Sequence, residues 1–85
     1  MYKIGLSNKI LKQLEKLNDS VYLKLSQKIF ELSNNPRPNG CLKLTDFDGF
    51  RIRVGNFRIL YTINENTKEV VIYKIDDRKD IYKKR

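Results

Sequence analysis

Three arginines in one short segment are the residues of this sequence best suited to chemistry on an anionic ligand. Arg51, Arg53 and Arg58 lie on both sides of a short turn. That turn, Gly55-Asn56, is typical of a two-residue β-hairpin of type II′, in which glycine comes first. Because side chains alternate between faces along a strand, the three arginines are predicted to share one face. Guanidinium groups bind phosphate oxygens in pairs, so this face indicates a site for a ligand with several phosphates.

The predicted hairpin has an electrostatic cost, because it places Arg53 directly opposite Arg58. Like charges in that position destabilise a strand pair. At an effective dielectric constant of about 20, two charges about 5 Å apart repel by about 3 kcal/mol, and side chains that spread into water reduce this to about 0.5 to 1 kcal/mol. A fold tolerates that cost, and with a third arginine nearby, binding of an anionic ligand explains it better than a solvated strand face does.

Length and charge narrow the possible partners. The chain has 85 residues, enough for a single domain that we expect to span residues 1–85. Its net charge of +8 favours nucleic acid, an acidic protein or an anionic membrane surface as the partner. The membrane is the weakest of these candidates, because the sequence has neither a long apolar run nor a signal peptide. We therefore expect a cytoplasmic protein that does not bind membranes.

The chain has one cysteine, Cys41, and no histidine. A lone cysteine cannot form an intrachain disulfide, and without histidine to activate it we interpret Cys41 as an apolar filler rather than a nucleophile. Zinc sites are built mainly from cysteine and histidine, so the sequence predicts no metal and no other cofactor. Any catalysis must use arginine, lysine, tyrosine and carboxylate side chains.

The elements that position the arginines follow from the spacing of apolar residues. A strand is expected at Tyr2–Leu6, then a helix capped by Ser7 or Asn8, then a second helix that begins after Asn18-Asp19-Ser20 and ends near Leu32. From Leu42 onward the period changes to two, which predicts strands at 49–54, 57–63 and 69–75. The order βααβββ indicates an α+β domain in which a helical hairpin covers one face of an antiparallel sheet. The other face, which carries the arginines, is left open.

The polar tail from Asp76 to Arg85 is expected to be irregular or to form a short helical turn. Arg78 and Tyr82 are four residues apart, so a helical turn would place them on one side. They follow the last predicted strand and can therefore lie at the edge of the arginine face. Arg51, Arg53, Arg58, Arg78 and Tyr82 would then form one concave basic site that contains a phenol.

A resemblance to the RelE/ParE toxin superfamily of toxin-antitoxin modules covers nearly the whole chain. It includes the strand and helical hairpin at the start, the loop Asn35–Gly40 leading to Leu42–Leu44, the central block Phe50–Tyr61 and the terminal Arg78–Tyr82, and the central block is the most specific. It is similar to the RelE branch, whose members cut messenger RNA in the ribosomal decoding site without a metal and are held inactive by a bound antitoxin. The resemblance implies a ribosome-dependent endoribonuclease in which Arg51, Arg53, Arg58 and Tyr82 line the RNA site. Arg78 is assigned with the other arginines to phosphate binding, and these five are the predicted catalytic residues. It also implies an acidic antitoxin as partner, with operator DNA bound only through the antitoxin complex.

The sequence departs from the RelE pattern at several positions. Lysines often stand in RelE members where this chain has Arg51 and Arg53, and arginine cannot act as a base because its pKa is above about 12. Asp76 and Asp77 replace a histidine or arginine common before the residue matching Arg78. Either aspartate could serve as a base, or its charge could oppose RNA; otherwise Tyr82 is the leading proton-transfer candidate.

Two alternative functions and one open surface remain. A ParE-like inhibitor of DNA gyrase would not need the arginine face, and a degenerate member without toxicity would only bind its antitoxin or DNA. The apolar residues of the helical hairpin, especially Tyr22 and Phe30, are either core, which we favour for most of them, or part of the surface that an antitoxin covers.

Overall fold

The structure, a computed structural model, describes residues 1–45 and 48–77. Its elements are β1 (Lys3–Leu6), α1 (Asn8–Glu15), α2 (Asp19–Asn34), β2 (Leu42–Lys43), β3 (Phe50–Val54), β4 (Phe57–Asn64) and β5 (Glu69–Asp77). The predicted α+β class is confirmed. The structure adds the short strand β2, which pairs with the start of β3.

The strands form one five-stranded sheet in the order β1-β5-β4-β3-β2. Neighbouring strands are antiparallel except that β1 runs parallel to β5. Parallel neighbours need a long connection, and here everything from α1 to β4 lies between the two strands. The sheet is therefore mostly antiparallel, and the last strand along the chain, β5, lies beside the first strand, β1.

Both helices are capped within the predicted segments: Ser7 caps α1, and Asn18 caps α2, which starts at Asp19 instead of after Ser20. The side chain of Ser7 accepts a hydrogen bond of 3.2 Å from the backbone N–H of Ile10, and Asn18 accepts one of 3.0 Å from Val21. These caps satisfy backbone donors that lack partners within the helix. The apolar sides of both helices pack on one face of the sheet. The buried core comprises Ile10, Leu14, Leu25, Ile29, Leu32, Ile52, Ile59, Tyr61, Val70, Ile72 and Ile75.

Tyr61 brings a polar atom into this core. Its side chain is fully buried, and its hydroxyl donates a hydrogen bond of 2.7 Å to the carbonyl oxygen of Pro36. Burial, followed by the neighbouring Cys41, raises the pKa of Tyr61 above its ordinary value. The bond ties the loop after α2 to the middle of the sheet and satisfies a buried hydroxyl.

The hairpin of β3 and β4 has the predicted register. Val54 pairs with Phe57, Arg53 pairs with Arg58, and Ile52 pairs with Ile59. Gly55 has a φ of 60°, and Asn56 is not among the residues with positive φ. This combination is the one that a type II′ turn requires, so the sequence prediction of the turn is confirmed.

The last strand differs from the prediction, because β5 continues through Asp77 instead of ending near residue 75. The expectation that Asp76 and Asp77 belong to an irregular tail is therefore wrong. Asp76 remains in the strand because it pairs with Arg58 of β4. Arg78 and Tyr82, like the rest of the predicted tail, lie outside the described residues.

The other end of the sheet is held by a cluster around Glu65, which lies in the turn between β4 and β5. Its carboxylate accepts hydrogen bonds of 2.7 Å from the Tyr2 hydroxyl and 2.8 Å from the Arg37 guanidinium. These two bonds, with a further one from Lys68, lower the pKa of Glu65 to about 2. Three distant segments of the chain therefore meet at one carboxylate.

Within the described ranges, no helix is long and apolar enough to cross a membrane.

Candidate anion-binding site

The open face of the sheet carries two rows of side chains that run across the strands. In the first row Arg53 of β3 pairs with Arg58 of β4, which pairs with Asp76 of β5. In the second row Arg51 pairs with Leu60, which pairs with Lys74. Neighbouring strands lie about 4.8 Å apart, so each row spans about 10 Å. We call Arg51, Arg53, Arg58, Lys74 and Asp76 the anion site.

The arginines of the anion site differ in how accessible they are. Arg53 is exposed, Arg51 is partly exposed, and the side chain of Arg58 retains 26% of its accessible surface. Arg51 and Arg53 form no ion pair with any described residue, so their guanidinium groups are available to a ligand. Nε of Arg58 is buried and has no hydrogen-bond partner among the described residues. A ligand oxygen that reached this donor would form a hydrogen bond that none of the described residues supplies.

Asp76 is the anionic member of the site and lies between two cations. Its Oδ2 is 4.0 Å from Nη2 of Arg58, and its Oδ1 is 3.7 Å from Nζ of Lys74. Both distances exceed hydrogen-bonding range, so the attraction is electrostatic without a directed bond. Pairs of this kind in partly exposed positions contribute about 0.2 to 1 kcal/mol, which a charged ligand can replace.

A β-bulge places Asp76 on the arginine face. Leu60 pairs with Lys74 and the next residue, Tyr61, pairs with Ile72, so the register between β4 and β5 shifts by one residue at Tyr73. Without this extra residue, Ile75 would lie on the open face and Asp76 would point into the core, because side chains alternate strictly. The sequence contains a sign of the bulge that the predicted strand 69–75 did not take into account. Apolar residues recur every second position through Ile72 and then shift by one to Ile75.

Three of the five predicted site residues are brought together by the structure. Arg51, Arg53 and Arg58 lie on one face as expected, whereas Arg78 and Tyr82 are outside the described residues. Lys74 was not predicted, and Asp76 was expected in the tail. The described part of the site can bind an extended polyanion and stabilise negative charge that develops on it. Asp76 supplies the one carboxylate among the members of the anion site.

The opposite side of the molecule carries an apolar groove of about 330 Å³ between the helices and the edge strand β1. Tyr22 is 44% exposed and Phe30 is 63% exposed. The core prediction is confirmed for most apolar residues of the helical hairpin, such as Leu25 and Leu32, but Tyr22 and Phe30 are exposed and line the groove beside β1. The groove is lined by Ile4, Leu6, Leu11, Tyr22, Ile29 and Phe30.

Comparison with known sequences agrees with the geometry of the fold. A family model described as "ParE toxin of type II toxin-antitoxin system, parDE" matches residues 4–82. One relative from Methanocaldococcus jannaschii, provisionally named toxin RelE4, is 31% identical over 100% of this chain and 95% of its own length. The match therefore extends over both helices and the whole sheet.

Solved structures have the same fold. A chain of the archaeal RelE-RelB complex from Pyrococcus horikoshii OT3 matches with a TM-score of 0.82 and 25% identity, covering 91% of this chain and 94% of that one. A chain of the toxin-antitoxin complex RelBE2 from Mycobacterium tuberculosis matches with a TM-score of 0.78 and 26% identity, covering 91% and 98%. Both structures are complexes of a toxin with an antitoxin.

Proposed function

Because this chain belongs to the RelE/ParE superfamily of type II toxin-antitoxin toxins, in its RelE-like branch, we propose that it is an endoribonuclease that cleaves messenger RNA on the ribosome. The observation that carries this proposal is the open sheet face with Arg51, Arg53 and Arg58. Two of these arginines lack an anionic partner among the described residues. Such a face suits the phosphates of an RNA strand, and it explains why the fold retains Arg53 opposite Arg58.

The reaction that fits these residues needs no metal. The 2′-hydroxyl of the RNA attacks the adjacent phosphorus in line, the bond to the 5′-oxygen breaks, and a cyclic phosphate and a free 5′-hydroxyl result. One proton leaves the 2′-oxygen and one is delivered to the departing 5′-oxygen. Arg51, Arg53 and Arg58 align the strand and stabilise charge on the phosphate, since arginine stays protonated. We assign Arg78 to the same role and Tyr82 to proton transfer or base stacking, both from the resemblance alone.

Cleavage of message on programmed ribosomes tests the proposal. Arg58→Gln is expected to lower the cleavage rate by about one hundredfold, the cost of removing one charge-stabilising donor. Tyr82→Phe is expected to lower it by about one hundredfold or more if the phenol moves a proton. Arg37→Gln is the matched control, because Arg37 pairs with Glu65 at the end of the sheet away from the Gly55-Asn56 turn. If the messenger RNA stayed intact in the presence of the wild-type protein, the proposed nuclease activity would be wrong.

We further propose an acidic antitoxin as partner, with apolar side chains in the groove that contains Tyr22 and Phe30. The chain's net charge of +8 favours an acidic partner, and exposed apolar area of this kind favours a protein interface. Phe30→Ser should weaken the complex, whereas Leu23→Ser should not. Leu23 is 57% exposed on the same helix but does not line the groove. Co-purification with the product of an adjacent acidic reading frame measures both effects. We also propose that operator DNA is bound only by the complex of this chain with its antitoxin. Both proteins are proposed to be cytoplasmic.

Inhibition of DNA gyrase is the second candidate, because the matching family model describes ParE toxins. A gyrase inhibitor has no need for three arginines on one open sheet face. Supercoiling assays separate the two functions directly. Loss of supercoiling with intact ribosome-bound message would favour the gyrase inhibitor over the nuclease.

A further inference from the structure

A second basic surface lies beside the anion site, in a cleft of about 650 Å³ between α1 and β5. None of the residues that line this cleft is among the five site residues predicted from the sequence. Its polar lining comprises Lys9, Lys12, Gln13, Lys16, Tyr73 and Lys74. We call it the lysine cleft.

The cleft exists because the parallel strand β1 is shorter than β5. The pairing of β1 with β5 ends at Leu6 and Ile72, so the rest of β5 has no neighbouring strand on that side among the described residues. Helix α1 closes the gap at one point. The side-chain amide of Gln13 donates a hydrogen bond of 2.7 Å to the carbonyl oxygen of Ile75. This bond fixes α1 against the strand edge and leaves an opening on which α1 presents its lysines.

The lysines of α1 form one positive ridge. Lys9, Lys12 and Lys16 are separated by three and four residues, so they lie on the same side of the helix and span about 10 Å along it. All three are exposed, and none forms an ion pair with a described residue. The one acidic residue of α1, Glu15, lines the apolar groove on the other side of the helix. The ridge therefore has a positive charge that its own helix does not neutralise.

Lys74 joins the lysine cleft to the anion site. It lines the cleft, and its Nζ also lies 3.7 Å from Oδ1 of Asp76, which is in the same row as Arg53 and Arg58. A single polyanion that crosses the sheet face can therefore continue into the cleft without leaving positive surface. Lysine binds phosphates as a mobile point charge, which suits a backbone held without regard to sequence.

We propose that the lysine cleft binds the sugar-phosphate backbone of the RNA strand next to the segment held by Arg51, Arg53 and Arg58. This inference rests on the proposed function and deepens it, because it assigns the flanking nucleotides to a surface of their own. The cleft positions the strand and takes no part in bond breaking.

Salt-dependent binding tests the proposal. A 2′-O-methyl RNA of about 20 nucleotides, which cannot be cleaved, is titrated with the wild-type protein and with Lys12→Gln/Lys16→Gln at several salt concentrations. Each lost phosphate contact should reduce the slope of log affinity against log salt by about 0.7, so the double variant should lose about 1.4. With an RNA of about four nucleotides, too short to occupy both surfaces, the two proteins should bind equally.

The matched control is Lys24→Gln/Lys28→Gln, which removes the same charge from α2, outside the lysine cleft. Its slope should stay close to that of the wild-type protein. Equal slopes for the two double variants would overturn the assignment of the cleft while leaving the nuclease intact. Failure of the wild-type protein to bind any RNA would instead count against the proposed function. Poly-glutamate serves as an acidic-protein probe. If it bound only to proteins that retain Lys12 and Lys16, while the Lys12→Gln/Lys16→Gln variant kept the wild-type RNA slope, the lysine cleft would be a site for acidic proteins and not for RNA.

Discussion

Asp76 sets the balance of charge at the level of single residues. It lies next to Arg58 in the row across the sheet and within 4.0 Å of that guanidinium. On its other side it lies 3.7 Å from Lys74. Its negative charge offsets part of the repulsion between Arg53 and Arg58, and the same charge opposes an anionic ligand in this row. We therefore predict that Asp76 stabilises the fold and weakens the binding of the proposed RNA.

Replacing Asp76 with asparagine should separate these two effects. Asp76→Asn is expected to raise the affinity for a non-cleavable RNA about threefold to tenfold, because one charge near a bound phosphate costs about 1 kcal/mol in water. The free energy of unfolding should fall by about 0.4 to 2 kcal/mol, since two partly exposed ion pairs are lost. Fluorescence titration and urea denaturation measure the two quantities.

The control for this variant is Asp19→Asn, which removes the same charge at the start of α2. Its RNA affinity should stay near the wild-type value. If Asp76→Asn binds RNA normally but no longer cleaves it, Asp76 is the proton acceptor and not a competing anion. Increased cleavage would show instead that Asp76 restrains an active nuclease.

Replacing Arg53 should have the opposite effects, that is, a higher free energy of unfolding and weaker RNA binding. Arg53→Gln removes the like charge opposite Arg58, so we expect the free energy of unfolding to rise by about 0.5 kcal/mol. RNA affinity and cleavage should both fall, because a phosphate contact is lost. Chemical denaturation and RNA titration of the same preparation check the pair of effects. A variant that is less stable than the wild-type protein would contradict the electrostatic account of the hairpin.

Among the elements, the hairpin of β3 and β4 matters most, because it carries the three arginines of the anion site. Its geometry depends on Gly55, whose φ of 60° is in the region that other residues adopt with difficulty. A methyl group at this position would meet no atom within 4 Å, so steric contact adds nothing to the cost of a substitution. The cost is therefore that of the backbone conformation alone.

Gly55→Ala is predicted to lower the free energy of unfolding by about 1 kcal/mol, the cost of a left-handed conformation for an alanine. Asn56→Ala, at the next position of the same turn, should have a much smaller effect because its φ is not positive. Urea denaturation of both variants measures the difference. Equal losses would mean that the side chain of Asn56 matters as much as the conformation of Gly55.

The whole molecule is held at its other end by Glu65, which joins the first strand, the loop after α2 and the turn between β4 and β5. Hydrogen bonds from Tyr2 and Arg37 lower its pKa to about 2 in the folded protein, from an ordinary value of 4.5. A lowered pKa means that the folded state favours the charged carboxylate. The stabilisation is therefore complete above about pH 4.5 and is lost as the pH falls towards about 2.

Glu65→Gln should consequently be less stable than the wild-type protein at pH 7, and the difference should shrink between about pH 4.5 and about pH 2. Thermal unfolding of both proteins over that range measures it. Glu69→Gln is a comparison on the adjacent strand outside the cluster. A difference between wild type and Glu65→Gln that did not change with pH would assign the effect to packing and not to charge.

The sequence by itself determined what depends on neighbouring residues. Gly55 and the alternation around it specify the turn, the register and the shared face of Arg51, Arg53 and Arg58. Ser7 and Asn18 specify where the helices begin, because a cap acts on backbone donors within one turn. These features are local, so period and turn chemistry suffice to predict them.

Only the tertiary structure decided which residues join the arginines. Asp76 reaches Arg58 because one extra residue in β5, Tyr73, shifts the register, and a one-residue shift moves side chains to the other face. The exposure of Tyr22 and Phe30 depends on how the helices pack beside the edge strand β1. The lysine cleft depends on where β1 ends beside β5. Each of these is a relation between distant segments, and the pattern along one segment does not contain it.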